Sequence, residues 1–175
     1  SADGKRGYVA NSASNNVSVL DLEKRLVIST IRVGTGPGKA AVSPDGTIIV
    51  VSNRGDGTVS LLRNGMGAGP AAGITLPPVV ASTIPACKAP EDIAITPDSA
   101  RAFVSCSESN QVASIDLKES RLNALLDVGK TPLHLALKPD GGEIMVSNFD
   151  ADSISTIETG TIDVAASFLI GSKPP

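Results

Sequence analysis

The chain has 175 residues, enough for one ordinary domain with a sizeable core if its surfaces are covered. Its 15 Lys and Arg against 18 Asp and Glu leave a net charge of −3, so electrostatics do not indicate nucleic acid or an anionic membrane as partner. Aromatic residues at 2% and no Trp leave few platforms on which bases or sugars stack. No run of about 20 apolar residues offers a helical membrane span. The opening Ser1-Ala2-Asp3-Gly4-Lys5-Arg6 does not read as a signal peptide, and the compartment stays open at this point.

Taken in chain order, short strand-like runs alternate with turn residues throughout. Tyr8-Val9-Ala10-Asn11 and Asn16 to Asp21 come first, followed by Val33-Gly34 leading to Pro37. The alternating run Ala40-Ala41-Val42-Ser43 then meets Pro44-Asp45-Gly46, a hairpin turn in which Gly accepts φ > 0 and Asp bonds the local backbone. Ile49 to Asn53 and Thr58 to Leu62 follow. Next comes Asn64-Gly65-Met66-Gly67-Ala68-Gly69-Pro70, which lacks the Gly-Lys-Ser/Thr of a phosphate loop and reads as a hairpin extension. Beyond Cys87-Lys88-Ala89-Pro90 the sequence predicts strands over Ile93 to Thr96, Arg101 to Cys106, Gln111 to Leu117 and about Leu122 to Val128, with Pro97-Asp98-Ser99 as the turn. Leu135 to Lys138, Pro139-Asp140-Gly141, Ile144 to Asn148 and Ser153 to Ile157 repeat the pattern before Ile170-Gly171 and Pro174.

The spacing turns these runs into a repeat. Asp3 to Asp45 and Asp98 to Asp140 are both 42 residues, whereas Asp45 to Asp98 is 53. Pro37, Pro90, Pro132 and Pro174 keep the same register, so the second interval carries an insertion of 11 residues. Four short strands in roughly 40–45 residues is the period of a propeller blade. The units are about 1–37, 38–90 with an insertion near 63–84, 91–132 and 133–175.

Tyr8 to Asn11, Ile49 to Asn53, Phe103 to Cys106 and Ile144 to Asn148 are similar to the Tyr-Val-Thr-Asn signature of the YVTN-repeat β-propellers, which include lactonase-like members. The following runs, Asn16 to Asp21, Thr58 to Leu62, Gln111 to Asp116 and Ser153 to Ile157, resemble that family's third strand, and Val33-Gly34 to Pro37 its exit motif. Cys106 for Asn, Ser99 for the turn Gly, and Cys87-Lys88-Ala89-Pro90 without a Gly before its Pro depart from the pattern. The resemblance implies an all-β fold of radially stacked, four-stranded antiparallel sheets. About four blades of a seven-bladed ring are expected here, with the other blades supplied by the same propeller. It also implies an extracytoplasmic protein, periplasmic or secreted.

Few residues stand out as chemistry. Asp45, Asp98 and Asp140 are assigned to turns, and Asp21 and Asp116 to local backbone bonding at strand ends. Lys39, Asp92 and His134 each stand two residues after a repeat proline, where innermost strands begin and side chains converge on the channel mouth. With Glu91 beside them they are the candidate ligand-binding set, weighed against a merely wet channel rim. Asp92 and His134 are the candidate bases of a hydrolase. A single histidine rules out a multi-histidine metal site in this chain, a carboxylate calcium site on Glu91 and Asp92 is a lesser alternative, and no metal or cofactor is expected. Cys87 takes the place of Gly34 and Gly129, and Cys106 that of Asn11, Asn53 and Asn148. Both substitutions fall in one blade, which predicts a bridge rather than two inert thiols. The favoured function is a binding or scaffold module for a protein or small-molecule ligand, presented by the loops Ser12 to Asn16, Arg54 to Gly57, Ser107 to Asn110 and Phe149 to Ser153. The alternative is a lactonase-like hydrolase at the channel mouth.

Overall fold

The computed structural model describes residues 1–66 and 75–171. The glycine-rich tract from Gly67 to Pro70 and the closing Pro174-Pro175 therefore lie outside the described residues. Almost all regular structure is strand. The first sheet holds β1 (Arg6–Asn11), β2 (Asn16–Asp21) and β3 (Leu26–Arg32), in that order. The second holds β4 (Pro37–Val42), β5 (Ile48–Asn53), β6 (Thr58–Met66) and β7 (Thr75–Pro85). The third holds β8 (Pro90–Ile95), β9 (Arg101–Cys106), β10 (Gln111–Asp116) and β11 (Arg121–Asp127), and the fourth β12 (Pro132–Leu137), β13 (Glu143–Asn148), β14 (Ser153–Glu158) and β15 (Asp163–Leu169). Every pairing is antiparallel between chain neighbours, so each sheet is an up-and-down meander, the form of a propeller blade. Single 3-10 turns at Ser12–Ser14 and Phe149–Ala151 link β1 to β2 and β13 to β14.

The cores lie between blades rather than within them. Val17, Ile49, Val51 and Leu62 join the first and second blades. Val50, Val59 and Leu61 meet Ile93, Val104 and Ile115 between the second and third, and Phe103 and Val112 meet Ile144, Val146 and Ile157 between the third and fourth. β5 is buried on both faces because Ile49 and Val51 point one way and Ile48 and Val50 the other. That explains its unbroken apolar run. Each such side chain contributes about 1.5–3 kcal/mol by leaving water, so blades stabilise one another more than themselves.

The Pro-Asp turns have the expected chemistry. Gly46 and Gly141 sit at φ +73 and +76, and Ser99 occupies the same left-handed region at φ +57. Asp45 accepts from the Thr47 amide at 3.0 Å, Asp98 from the Ala100 amide at 3.0 Å and Asp140 from the Gly142 amide at 2.9 Å. The Ser43 hydroxyl and the Thr47 amide hold the Asp45 carboxyl below the usual carboxylate range, and the Thr96 hydroxyl and the Ala100 amide do the same for Asp98. The insertion lengthens the β6–β7 hairpin on the outer side of the second blade.

One strand begins earlier than the alternation indicates. β8 starts at Pro90, paired with Cys106, and its register jumps before Ile93 pairs with Val104. One extra residue is accommodated there as a bulge, which breaks the period-2 pattern over Glu91 and Asp92. β4 and β12 carry the same shift just after Pro37 and Pro132.

Candidate functional site

The bulges build the site. Each turns the amide of the residue two places after the proline onto a serine of the adjacent second strand: Lys39 N donates to Ser52 Oγ at 3.1 Å, Asp92 N to Ser105 Oγ at 3.0 Å and His134 N to Ser147 Oγ at 3.2 Å. Two of these hydroxyls then donate across the blade boundary, Ser52 to the Glu91 carbonyl at 2.8 Å and Ser105 to the Leu133 carbonyl at 3.0 Å. In the second and third blades one serine thus fixes the start of its own inner strand against that of the next.

This stapling brings Lys39, Asp92 and His134 together around a cavity of about 280 Å³, lined also by Gly38, Glu91 and Leu133. Asp92 is the buried centre. Its Oδ1 accepts from the Ile93 amide at 2.8 Å and from the Lys39 ammonium, and its Oδ2 from the Leu135 amide of the fourth blade at 2.9 Å. His134 Nδ1 stands 3.9 Å from Asp92 Oδ2. Glu91 turns the other way, its Oε1 accepting from Arg54 Nε at 2.6 Å and from the Ser107 hydroxyl at 3.0 Å. The two carboxylates thus serve separate donors, and no group of three or more His, Cys, Asp or Glu suited to a metal ion occurs among the described residues. That donor set does not favour the calcium alternative.

The structure unites all four sequence candidates and adds others. Arg54 and Ser107, in the loops after β5 and β9, hold the Glu91 carboxylate. Arg54 follows the signature Asn53 where the other blades have Ser12, Ser107 and Phe149. Only that departure marks it, and charge in a loop is too common a feature to single it out. Ser52 and Ser105 read as ordinary strand residues.

Cys87 and Cys106 form a disulfide with a Cα separation of 5.9 Å. The other blades show why the pair belongs there. A Cβ on Gly34 would lie 2.6 Å from Asn53 Nδ2, and one on Gly129 2.6 Å from Asn148 Nδ2, so the connection needs Gly wherever Asn faces it. Asn53 Nδ2 donates to the Thr58 and Ser60 hydroxyls, and Asn148 Nδ2 to those of Ser153 and Ser155. Gln111 and Ala113 occupy the corresponding places beside Cys106, where no amide requires a serine. A second change falls at this junction. Asn15 Oδ1 and Asn110 Oδ1 accept from the Gly36 and Thr131 amides at the neighbouring boundaries, whereas the equivalent residue here is Gly57, whose Cβ would meet the Cys87 carbonyl at 2.6 Å. The covalent bridge replaces both clasps.

Together these features define a β-propeller protein, in which stacked meanders meet along inner strands whose starts bring Lys39, Asp92 and His134 around one cavity. The chain belongs to the choice-of-anchor I domain family, whose model matches residues 71–159, just over half of its length. Among solved structures it is similar to hydrazine synthase of Kuenenia stuttgartiensis, with a TM-score of 0.83 and 22% identity over 97% of this chain and 47% of that one. It is also similar to a putative 6-phosphogluconolactonase from Bacteroides uniformis, with a TM-score of 0.77 and 14% identity over 98% and 53%. At these identities the likeness establishes the fold alone, and the chain spans about half the length of either protein. No curated protein matches it.

Proposed function

We propose that this chain is part of an extracytoplasmic propeller of the YVTN-repeat kind, working as a binding or scaffold module with its ligand seat at the channel mouth. The observation that carries the reading is the cluster itself. Three inner strands offer a base, an acid and an imidazole at one register position, and the serine staples hold them against a common cavity. Asp92, bonded to Lys39 and to the Leu135 amide, holds the inner strands of three blades around that cavity. The disulfide supports export to an oxidising compartment. Val9 is exposed where Val51, Val104 and Val146 are fully buried, and Met145 is exposed where Val50 and Phe103 are buried. Those uncovered apolar faces suit further blades of the same propeller as partners.

A second reading rests on the Asp92–His134 pairing. The carboxylate lies 3.9 Å from Nδ1, and a turn of the ring that closed this gap would orient it and leave Nε2 as general base for hydrolysis of a cyclic ester; one structural neighbour is a putative lactonase. Lactone hydrolysis by the protein, with and without divalent metal, decides between them. Turnover abolished by His134→Gln or Asp92→Asn transfers the chain to the hydrolases. Binding of a lactone or sugar acid without turnover supports the module.

A further inference from the structure

We infer that the channel mouth is an anion seat, taking a small ligand with a carboxylate or phosphate group through Lys39 and His134, while Asp92 positions the Lys39 donor. The inference rests on the binding-module reading and specifies its ligand class. Formal charge alone points nowhere, since Lys39 balances Asp92, and Glu91 is paired with Arg54 outside the cavity lining. Exposure breaks the tie: the Lys39 and His134 side chains are 47% and 69% exposed, against 11% for Asp92.

The hydrogen bonds agree. Asp92 spends both oxygens on the Ile93 and Leu135 amides and the Lys39 ammonium, and Glu91 accepts from Arg54 and Ser107. An ammonium has three N–H donors. One contact of the Lys39 ammonium goes to Asp92, which leaves two donors on a half-exposed side chain. A cationic ligand would have to displace Lys39 and strip a buried carboxylate of its counter-charge. A neutral sugar finds no aromatic platform, because no Tyr or Phe lines the cavity. A carboxylate or phosphate meets a donor already oriented by a buried acid, the arrangement in which charge-assisted hydrogen bonds form at least entropic cost.

The chain's only histidine lies at the seat, so its ring proton reports occupancy without ambiguity. The test follows that NMR signal at fixed pH and ionic strength while inorganic phosphate, gluconate, glucose or calcium chloride is added. We expect a saturable shift with phosphate, gluconate or both. Lys39→Met weakens it about tenfold, and Lys138→Met leaves it unchanged. Phosphate alone assigns a phosphate-bearing ligand, gluconate alone a carboxylate, and both a general anion seat. A shift with glucose but neither anion overturns the anion inference and leaves the binding reading standing. A saturable response to calcium overturns the inference in favour of a cation site. Silence to all four overturns the inference and removes the support for a small-molecule seat at this mouth.

Discussion

Removing the Cys87–Cys106 bridge probes the junction between the second and third blades. The cysteines are 19 residues apart, and on the chain-entropy estimate a loop of that size stabilises the fold by about 3 kcal/mol. Cys87→Ala with Cys106→Ala should lose that amount, because Gly57 and Ala113 have no side-chain hydrogen bond to take over, and the amides of Ala86 and Cys87 already bond the Gly57 carbonyl in the bridged protein. The repeat itself supplies the finer test. Cys87→Gly with Cys106→Asn restores the pairing of the other blades, but the new amide faces Ala113 where Asn53 and Asn148 face Ser60 and Ser155. An underbonded buried amide costs about 1–3 kcal/mol, so adding Ala113→Ser should return about 1 kcal/mol. Urea unfolding followed by far-ultraviolet circular dichroism, with and without reductant, measures each difference. The reasoning fails if the double alanine variant matches the oxidised protein within about 0.5 kcal/mol, or if Ala113→Ser gives no gain in the Asn background.

Ser105→Ala should cost about 1–3 kcal/mol in the same urea assay, since the hydroxyl serves both the Asp92 amide and the Leu133 carbonyl; a change no larger than that of an exposed serine would remove the inter-blade staple from the account. Gly129→Ala places a Cβ 2.6 Å from Asn148 atoms and should destabilise by about 1–3 kcal/mol, whereas Gly160→Ala, with open space around it, should be tolerated in a parallel melt. The depressed Asp45 and Asp98 carboxyls contribute stability that is present above the ordinary carboxylate value of about 3.9 and is lost as pH falls through their folded values. Urea midpoints should therefore drop below about pH 4, and Asp45→Asn with Asp98→Asn should flatten that acid limb. An unchanged limb would mean that other carboxyls govern it.

The blades, their turns and the disulfide pairing were legible in the amino-acid order because each is a local or periodic property. A 42-residue period is visible wherever it recurs, Pro-Asp-Gly forms its turn from its own atoms, and aligning units places Cys87 against Cys106 as surely as Gly34 against Asn53. The same register placed Lys39, Asp92 and His134 at equivalent positions near the starts of the inner strands, where they line one cavity. What they do to one another was not legible. The Lys39–Asp92 pair spans 53 residues, the Leu135–Asp92 bond 43 and the Arg54–Glu91 pair 37, each crossing from one blade to the next. Those contacts depend on a one-residue bulge after each proline, which erases the alternation where the site begins. Burial followed the same division. Sequence pattern marks Asp92 as an acid beside a strand, but only the packing of three inner strands makes it the enclosed centre of the cluster, because enclosure comes from neighbours that the chain reaches one whole repeat away.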